Sequence, residues 1–397
     1  MSEQTYRPDS ARVSALRQTF IDTYGAQPTL WCSAPGRTEL GGNHTDHQGG
    51  HVLAASVNMD MLACAAPNGT DVIRVLSQGH PAFSVKLGDG HREREATSGA
   101  LVQGMAELLR QKGFAVSGCD ISMDSHVPAG SGLSSSAAFE VLMGQVLNCL
   151  FCDESVTAVE LAMMAQQAEN QWFGKPCGLM DQAACAVGGA VAMDLGVTPP
   201  QVEKVTLDAA SLGYALCIIN VGADHADLTD AYAAIPAEMG AVAAFFGKTR
   251  LRDVAEGDFW ANLTAVRRRC GDRAAARAAH FFREDRRAHE MAQAMKQGDF
   301  DRFLSLVRES GRSSGMYLQN SYAFPQEQSV TLALAAAEQL LDGRGAVRVH
   351  GGGFAGTAQA YVPLEKLDGF VSAIESEFGK GCCHIVQIRN LGSIKLI

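Results

Sequence analysis

Glycines and serines are concentrated in residues 127–141, which read VPAGSGLSSSAAFEV. The small residues 130–132 let the backbone approach a ligand closely. The serines at 134–136 stand at the start of an amphipathic helix, where unpaired N–H groups and the positive end of the helix dipole form an anion site. A serine can also simply cap a helix, although one is enough for that. Because the segment lacks the GK[ST] ending of a Walker loop, we predict a phosphate site of another kind.

A second polar segment, residues 34–53, reads APGRTELGGNHTDHQGGHVL. The polar side chains among its glycines include Arg37, Glu39, His44, Asp46, His47 and His51. A loop of this kind suits the presentation of side chains to a small polar ligand. A solvated surface loop and a metal site are the alternatives, although the glycine-rich loop does not supply the helix or strand spacing that catalytic zinc sites use.

Asp181 lies in a third segment, residues 168–195, among mainly small and apolar residues. Burying a bare carboxylate in such surroundings is costly, so Asp181 must be paired, solvated or functional. A structural ion pair or a helix N-cap would explain this residue as well as catalysis does. The residues alone therefore leave the role of Asp181 open.

Hydrophobic periodicity predicts the elements that position these segments. Short β-like runs occur at Val52–Val57, Leu62–Ala66 and Val72–Leu76. The apolar stripe over residues 134–150 predicts a helix that begins at the serines. A second helix is predicted to begin at Thr157, because Thr157 and Glu160 can form a capping box.

The chain changes character beyond about residue 210. A buried strand is predicted at Ala215–Val221, followed by a long charged helical stretch. The last part predicts a ββαβ arrangement over Ala346–His350, Thr357–Val362, Leu364–Phe378 and His384–Arg389. This order of elements is typical of an α+β fold, not of a doubly wound α/β fold. We place the domain boundary near residue 212, which gives domains 1–212 and 213–397.

Composition excludes several classes of protein. The chain has 397 residues, of which 47% are hydrophobic and 19% charged, with a net charge of −10. The length predicts two domains. The acidic balance argues against a nucleic-acid partner, and no apolar run is long enough to cross a bilayer, so we expect no membrane partner. The N-terminal sequence MSEQTYRPDS lacks a basic segment followed by an apolar one, so we expect no secretory signal.

The 11 cysteines include a CxxC at Cys149 and Cys152 and an adjacent pair at Cys382 and Cys383. A CxxC can mark a metal or redox site, but no second ligand pair stands nearby. Because these cysteines lie in apolar or helical surroundings, we interpret them as reduced core residues. We therefore expect a cytoplasmic protein, and for its oligomeric state we expect a monomer or a weak homo-oligomer.

The segment PAGSGLSSSAA resembles the nucleotide-binding motif of the GHMP kinases, in which a proline and three residues precede GLxSSA. The resemblance implies a two-lobed fold, with an N-terminal βα sandwich, a C-terminal ferredoxin-like α+β domain and the active site between them. It implies that the loop wraps the phosphates of ATP and that Ser136 and Glu169 hold Mg²⁺. The implied nucleotide-binding residues are Gly130, Ser131, Gly132, Leu133, Ser134, Ser135, Ser136 and Ala137.

Residues 34–53 are similar to the galactokinase signature, which begins at PGR and runs through GEHTDYNGG, and CGLMDQ at 177–182 is similar to the galactokinase CGIMDQ. By that resemblance Arg37 and Asp181 are the catalytic pair, and Asp181 faces the anomeric hydroxyl. The implied sugar-binding residues are Asn43, His44, Asp46, Gly178 and Tyr232. Residues 345–362, GAVRVHGGGFAGTAQAYV, resemble the third GHMP motif, a glycine cluster that closes over the nucleotide and the substrate.

The sequence departs from the galactokinase signature at several positions. The family's glutamate is Asn43, its asparagine and isoleucine are Glu39 and Gly41, and its tyrosine is His47. In galactokinases the glutamate receives the hydroxyl on carbon 6. Asn43 in its place would weaken one contact to galactose and make a carboxylate on carbon 6 tolerable. The run DHQGG also resembles the corresponding loop of galacturonate 1-kinases.

Other departures lie outside the signature. Ala355 replaces a glycine of the third motif, and the arginine pair that follows the family's sugar-contacting tyrosine is absent after Tyr232. We expect an ATP-dependent kinase that phosphorylates the anomeric hydroxyl of galactose. The alternatives are a 1-kinase for a uronic acid such as galacturonate, or for another hexose, and a sensor that binds ATP and sugar without catalysis. The serine–alanine pair that the yeast sensor lacks is present here.

Overall fold

Two β-sheets packed with helices organise the chain. The computed structural model describes residues 6–88, 96–128, 130–175, 177–222, 228–354 and 356–396. The strands are β1 Leu30–Gly41, β2 His51–Pro67, β3 Val72–Ser77, β4 Phe83–Lys86, β5 Cys119–Ser125, β6 Ala190–Asp194, β7 Gln201–Val205, β8 Tyr214–Asn220, β9 Ala346–Val349, β10 Thr357–Pro363, β11 Cys383–Val386 and β12 Ile394–Leu396. The helices are α1 Ser10–Tyr24, α2 Ser98–Gln111, α3 Ser135–Phe151, α4 Ala158–Ala168, α5 Met180–Val187, α6 Thr229–Phe245, α7 Glu256–Ala261, α8 Leu263–Cys270, α9 Asp272–Gln297, α10 Phe300–Ser313, α11 Ser329–Leu341 and α12 Leu367–Phe378.

The larger sheet has the strand order β12-β1-β2-β5-β3-β4, and β6 pairs with both β2 and β7. The smaller sheet has the order β11-β8-β10-β9 and is antiparallel throughout. Helices α2 to α5 share the main hydrophobic core with the larger sheet. Helices α11 and α12 pack in a separate core with the smaller sheet. The α+β class expected from the order of elements is confirmed.

Strand β2 is longer than the sequence pattern predicted. The two runs expected at 52–57 and 62–66 form one strand of 17 residues, so the prediction of a break between them was wrong. The strand continues because its two halves have different partners, β6 for the first half and β5 for the second. The polar residue Asp60 within it is satisfied by Arg12, whose Nη1 lies 2.6 Å from the Asp60 carboxylate.

Most of the other predicted elements are confirmed. Helix α3 starts at the serines, and the capping box of Thr157 and Glu160 opens α4. The ββαβ arrangement is present as β9, β10, α12 and β11, although a 3₁₀ turn over Leu364–Lys366 precedes the helix. The last strand of this arrangement, Cys383–Val386, ends earlier than predicted. No helix among the described residues is long and apolar enough to cross a membrane.

The end of the chain returns to the sheet that holds its beginning. Strand β12 lies antiparallel to β1, with Trp31 opposite Leu396 and Ser33 opposite Ile394. Strand β1 is therefore hydrogen-bonded on both sides, to β12 and to β2. The division into domains 1–212 and 213–397 stays a prediction.

The capping box gives a test of local stability. Thr157→Ala removes the hydroxyl that accepts a hydrogen bond from the backbone N–H of Glu160. We expect the free energy of unfolding to fall by about 1 kcal/mol, as measured by urea denaturation. Thr23→Ala, on an exposed face of α1 where the hydroxyl bonds only to the carbonyl of Thr19, is the control and should change stability by less than about 0.5 kcal/mol. Equal losses in the two variants would contradict the role of the cap.

Candidate active site

Strand β1 places Arg37 by a local irregularity. The pairing of β1 with β2 shifts register between Pro35 and Arg37, and a bulge of this kind re-aims a side chain. Gly36 lies so close to the serine segment that a Cβ there would be 2.9 Å from the carbonyl oxygen of Leu133. The backbone N–H of Arg37 donates to the same carbonyl at 3.0 Å. The strand and the serine segment are therefore fixed against each other at Arg37.

Arg37 and Asp181 form a bidentate ion pair. Nε and Nη2 of Arg37 each lie 2.7 Å from one carboxylate oxygen of Asp181, which is in the first turn of α5. The Arg37 side chain is 7% exposed, whereas that of Asp181 is 31% exposed. Burial alone would raise the pKa of Asp181, but Arg37 and the hydroxyl of Ser134 outweigh it and hold this pKa below its ordinary value. The carboxylate is therefore ionised and accessible.

The serine segment forms one wall of a cleft of about 230 Å³. The opposite wall contains Tyr232, His350, Thr357 and the glycines at 351–353. Gly130 and Gly132 both have positive φ, 71° and 73°, which explains the glycines on the first wall. The glycine-serine segment and the third glycine motif therefore line the same cleft.

The serines do not cap helix α3. Ser134 is the N-cap residue, but its side chain makes no cap hydrogen bond. Its backbone is left-handed, with φ of 53°, a conformation that costs a non-glycine residue about 1–3 kcal/mol. The Ser134 hydroxyl instead donates to Asp181 at 2.5 Å. Simple capping therefore does not explain this serine.

Of the two residues predicted to hold Mg²⁺, Ser136 lies in the first turn of α3 and Glu169 directly follows α4. Ser136 is exposed, and Glu169 is 3% exposed where α4 passes into a π-helical turn. Glu169 accepts from Lys175 at 3.0 Å and from Gln182 at 2.8 Å. A hydroxyl and a carboxylate are ligands that Mg²⁺ takes together with phosphate and water oxygens. Among the described residues there is no group of three or more acidic, histidine or cysteine side chains that could hold a metal ion. Ser136 and Glu169 are two ligands, so they fit Mg²⁺ only when a nucleotide and water supply the other ligands.

Sequence reasoning missed a second acidic residue next to Glu169. Glu140 is completely buried in α3, and the amide nitrogen of Gln182 donates to both Glu140 and Glu169. Burial, and then the nearby Glu169, raise the pKa of Glu140 far above its ordinary value. A signal was present in the sequence, because Glu140 follows Ser136 by one helical turn in an otherwise apolar stripe.

Three of the five predicted sugar-binding residues contact the third glycine motif. The loop between β1 and β2, residues 42–50, is called the sugar loop after its predicted role. Side chains of this loop and of α6 donate to three successive glycine carbonyls. Asn43 donates to Gly351 at 2.6 Å, His44 to Gly352 at 2.9 Å and Tyr232 to Gly353 at 2.6 Å. A carbonyl only accepts, so Nε2 of His44 carries its proton. Burial lowers the pKa of His44 to about 4, and the ring is neutral.

Asp46 and Gly178 are in direct contact. A Cβ on residue 178 would lie 1.8 Å from a carboxylate oxygen of Asp46, so only glycine fits beside it. Burial, with further contributions from Asp181 and Glu39, raises the pKa of Asp46 to about 6. The structure therefore brings Asp46 into the electrostatic range of the Arg37–Asp181 pair.

Asn43 and Glu39 form a buried polar pair. The amide nitrogen of Asn43 lies 3.0 and 3.2 Å from the two carboxylate oxygens of Glu39, which also bonds to Arg348. The amide oxygen of Asn43 accepts from Asn320 at 2.8 Å and from Ser314 at 3.2 Å. All hydrogen-bonding positions of Asn43 are thus used within the protein. At position 43, where the signature has a glutamate, this chain has an amide with the carboxyl group of Glu39 against it.

The comparisons with known proteins agree with this geometry. The chain matches the family model of the GHMP kinases N terminal domain over residues 100–189 and that of the galactokinase galactose-binding signature over residues 18–67. A galactokinase of Streptomyces coelicolor is 30% identical over 375 residues, which cover 93% of each chain. The chain belongs to the galactokinase family.

Solved structures of the wider group share the fold of this galactokinase-family chain. The galactokinase of Lactococcus lactis, crystallised with galactose, is 25% identical and matches with a TM-score of 0.84 over 97% of this chain and 100% of that one. The mevalonate kinase of Methanococcus jannaschii is 12% identical and matches with a TM-score of 0.62 over 90% of this chain and 98% of that one. The second likeness concerns the fold alone, and it extends over both sheets.

The buried Glu39–Asn43 pair predicts a strong coupling between two substitutions. Glu39→Asn removes the carboxylate from Arg348, and Asn43→Glu brings a second carboxyl group against Glu39, so each change alone should cost about 3–5 kcal/mol of unfolding free energy. The double variant Glu39→Asn/Asn43→Glu again provides one carboxyl group and one amide. We expect it to be more stable than the sum of the single changes by more than about 1 kcal/mol, in urea denaturation.

The control for this cycle is Glu365→Asn, which breaks an exposed ion pair with Arg344. It should change stability by less than about 1 kcal/mol. Additive effects of the two buried substitutions would show that Glu39 and Asn43 act independently, contrary to the geometry.

Proposed function

We propose that the chain transfers the γ-phosphoryl group of ATP to the anomeric hydroxyl of galactose and so produces galactose 1-phosphate and ADP. The observation that carries this proposal is the convergence of two motifs on one carboxylate. Arg37 comes from strand β1, and Ser134 comes from the glycine-serine segment at 130–136, which we call the phosphate loop. Both side chains hydrogen-bond to Asp181. The acceptor hydroxyl and the phosphate donor would therefore meet at Asp181.

The proposed chemistry assigns one role to each group. The ionised Asp181 accepts the proton of the anomeric hydroxyl. The oxygen of that hydroxyl attacks the γ-phosphorus, and the bond from that phosphorus to the ADP oxygen breaks. Arg37 orients Asp181 and stabilises negative charge that develops on the phosphoryl oxygens. The backbone N–H groups of residues 132–136 would bind the phosphates. Asp46, with His44, would bind hydroxyls of the sugar.

Mg²⁺ is a proposed cofactor of this reaction, and Ser136 and Glu169 would hold it. When bound it would neutralise charge on the β- and γ-phosphates. Lys175 and Gln182 support this assignment, because both donate to Glu169 and so hold its carboxylate in place. The residues of the chain thus supply two ligands, and the nucleotide and water supply the others.

The buried Glu39–Asn43 pair favours galactose over a uronic acid as the substrate. The case for a uronate depended on the loss of a carboxyl group at position 43. The carboxyl group of Glu39 now reaches the amide of Asn43, so this side of the loop retains one carboxyl group. The galactokinase of L. lactis, whose fold is the same, was crystallised with galactose. A sensor without catalysis is disfavoured by the complete Arg37, Ser134 and Asp181 constellation.

The cellular location and the oligomeric state of the protein are also proposals. All 11 cysteines are free thiols, and Cys152, Cys382 and Cys383 are buried, which supports a cytoplasmic location. We propose a monomer or a weak homo-oligomer with small-molecule substrates.

Replacement of Asp181 tests the proposed base. Asp181→Asn keeps the shape and the acceptor oxygen for Ser134 but cannot take a proton. We expect kcat for galactose to fall by a factor of about 10²–10⁴ in an ADP-release assay, while the dissociation constant of ATP stays within about three-fold of the wild-type value. Asp153→Asn, at an exposed turn with positive φ that asparagine tolerates, is the control. Turnover of Asp181→Asn near the wild-type rate would refute the assignment.

The raised pKa of Asp46 predicts a pH dependence of sugar binding. The carboxyl group is protonated below about pH 6 and ionised above it. Only the ionised form accepts hydrogen bonds from two hydroxyls. The dissociation constant of galactose should therefore fall about ten-fold from pH 5 to pH 7, as measured by calorimetry. Asp46→Asn should bind weakly with no such dependence, and an unchanged pH profile in that variant would assign the titration to another group.

A further inference from the structure

His350 lines the nucleotide cleft with one nitrogen that the site described above does not use. It follows β9 directly and precedes the glycines at 351–353, and it is 1% exposed. Its Nδ1 faces the phosphate loop, because a Cβ on Gly132 would lie 2.8 Å from this atom. Among the described residues Nδ1 has no hydrogen-bond partner. A buried polar atom of this kind needs an explanation, since leaving it unpaired is costly.

The protonation of this ring is fixed by a chain of three hydrogen bonds. The amide nitrogen of Gln359 donates to the backbone carbonyl of Glu39 at 2.8 Å. A carbonyl can only accept, so the orientation of the Gln359 amide is settled. The same nitrogen lies 2.7 Å from Oγ1 of Thr38, which is therefore an acceptor in this contact.

The hydroxyl proton of Thr38 then has one acceptor left. Thr38 is completely buried, and its Oγ1 lies 2.9 Å from Nε2 of His350. When the hydroxyl donates to Nε2, the amide nitrogen of Gln359, the hydroxyl of Thr38 and Nε2 of His350 all have partners. The proton of the neutral ring is consequently on Nδ1, on the side of the phosphate loop. Burial, and then the charges of Arg37 and Arg348, lower the pKa of His350 well below its ordinary value, so the ring carries a single proton.

A neutral N–H donor in this position suits an anionic oxygen of the ligand. Arg37 already supplies a full positive charge to the same loop, where its Nη1 donates to the carbonyl of Gly132. His350 would add direction without a second charge. We propose that the Nδ1–H group of His350 donates a hydrogen bond to a phosphate oxygen of the bound nucleotide, with Thr38 and Gln359 as the residues that hold the ring in this tautomer. The assignment rests on the proposed use of the cleft for ATP.

Two substitutions of His350 separate this role from a merely structural one. In His350→Asn the amide group branches from Cγ, as Nδ1 does, so a donor is retained on the side of the loop. In His350→Gln the amide reaches the position of Nε2, so the contact with Thr38 is retained and the donor toward the loop is lost. We expect His350→Gln to weaken ATP binding by a factor of about 10–100 and His350→Asn to weaken it by less than about five-fold. The opposite order would mean that His350 only anchors Thr38, and it would overturn the proposal.

The measurements are the dissociation constants of ATP with Mg²⁺, and of galactose, by calorimetry, together with thermal unfolding of each variant. Equal ATP affinities in the two variants, or a loss confined to galactose, would also overturn the proposal. Failure of the wild-type protein to phosphorylate galactose would refute the proposed function, but the comparison of ATP affinities could still be made. Failure of the wild-type protein to bind ATP would refute both.

Wild-type protein provides a test that does not depend on the folding of a histidine variant. The ¹⁵N resonances of the His350 ring distinguish a protonated from an unprotonated nitrogen, and we expect the proton on Nδ1. Thr38→Val removes the donor to Nε2, whereas Thr38→Ser keeps a hydroxyl. We expect Thr38→Val to bind ATP more weakly than Thr38→Ser by about ten-fold. A proton on Nε2 in the wild-type spectrum, or equal affinities of the two threonine variants, would contradict the proposed tautomer.

Discussion

The ion pair between Arg37 and Asp181 is the interaction around which the site is built. It joins strand β1 to helix α5, and its buried member, Arg37, needs further hydrogen bonds to complete its charge. The carbonyl of Gly132 and the hydroxyl of Ser134 provide these bonds. Each of the two comes from the phosphate loop. The requirement to satisfy one ion pair therefore fixes the loop, the strand and the helix relative to each other.

The third glycine motif extends this arrangement to the second sheet. Its successive carbonyls at 351–353 receive hydrogen bonds from Asn43, His44 and Tyr232. Side chains from the sugar loop and from α6 thus meet on one short stretch of backbone. Glycine suits this stretch because it brings no side chain to the crowded contact, as the close approach of Tyr232 to Gly352 shows. The glycines at 351–353 therefore contact the loop between β1 and β2 and also line the cleft beside the serine segment.

Local patterns in the sequence were sufficient for the elements and for the segments of the site. The serines at the start of α3 and the capping box at Thr157 depend on residues within one or two turns of each other, and such signals are readable without a structure. The two runs at 52–57 and 62–66 were predicted separately, because the partner of the polar residue Asp60 between them is distant in the sequence. Asp60 is satisfied by Arg12, which lies 48 positions earlier.

Distant partners also explain what the sequence could not reveal about the site. Glu39 and Arg348 are 309 positions apart, and neither periodicity nor motif spacing relates them. The interpretation of Asn43 therefore changed once the fold was known, because its side chain hydrogen-bonds to Glu39, Ser314 and Asn320 together. The unusual residue types were visible in the sequence, but their pairing required the fold.

The pairing of β12 with β1 has a consequence for how the protein is made. The strand that bears Arg37 has its outer neighbour at residues 394–396. During synthesis this neighbour leaves the ribosome long after β1 does, so until then this edge of β1 has unpaired backbone groups. The strand that bears Arg37 is thus translated before the other strands of the sheet, but it gains its second neighbour only when a segment far along the chain has been made.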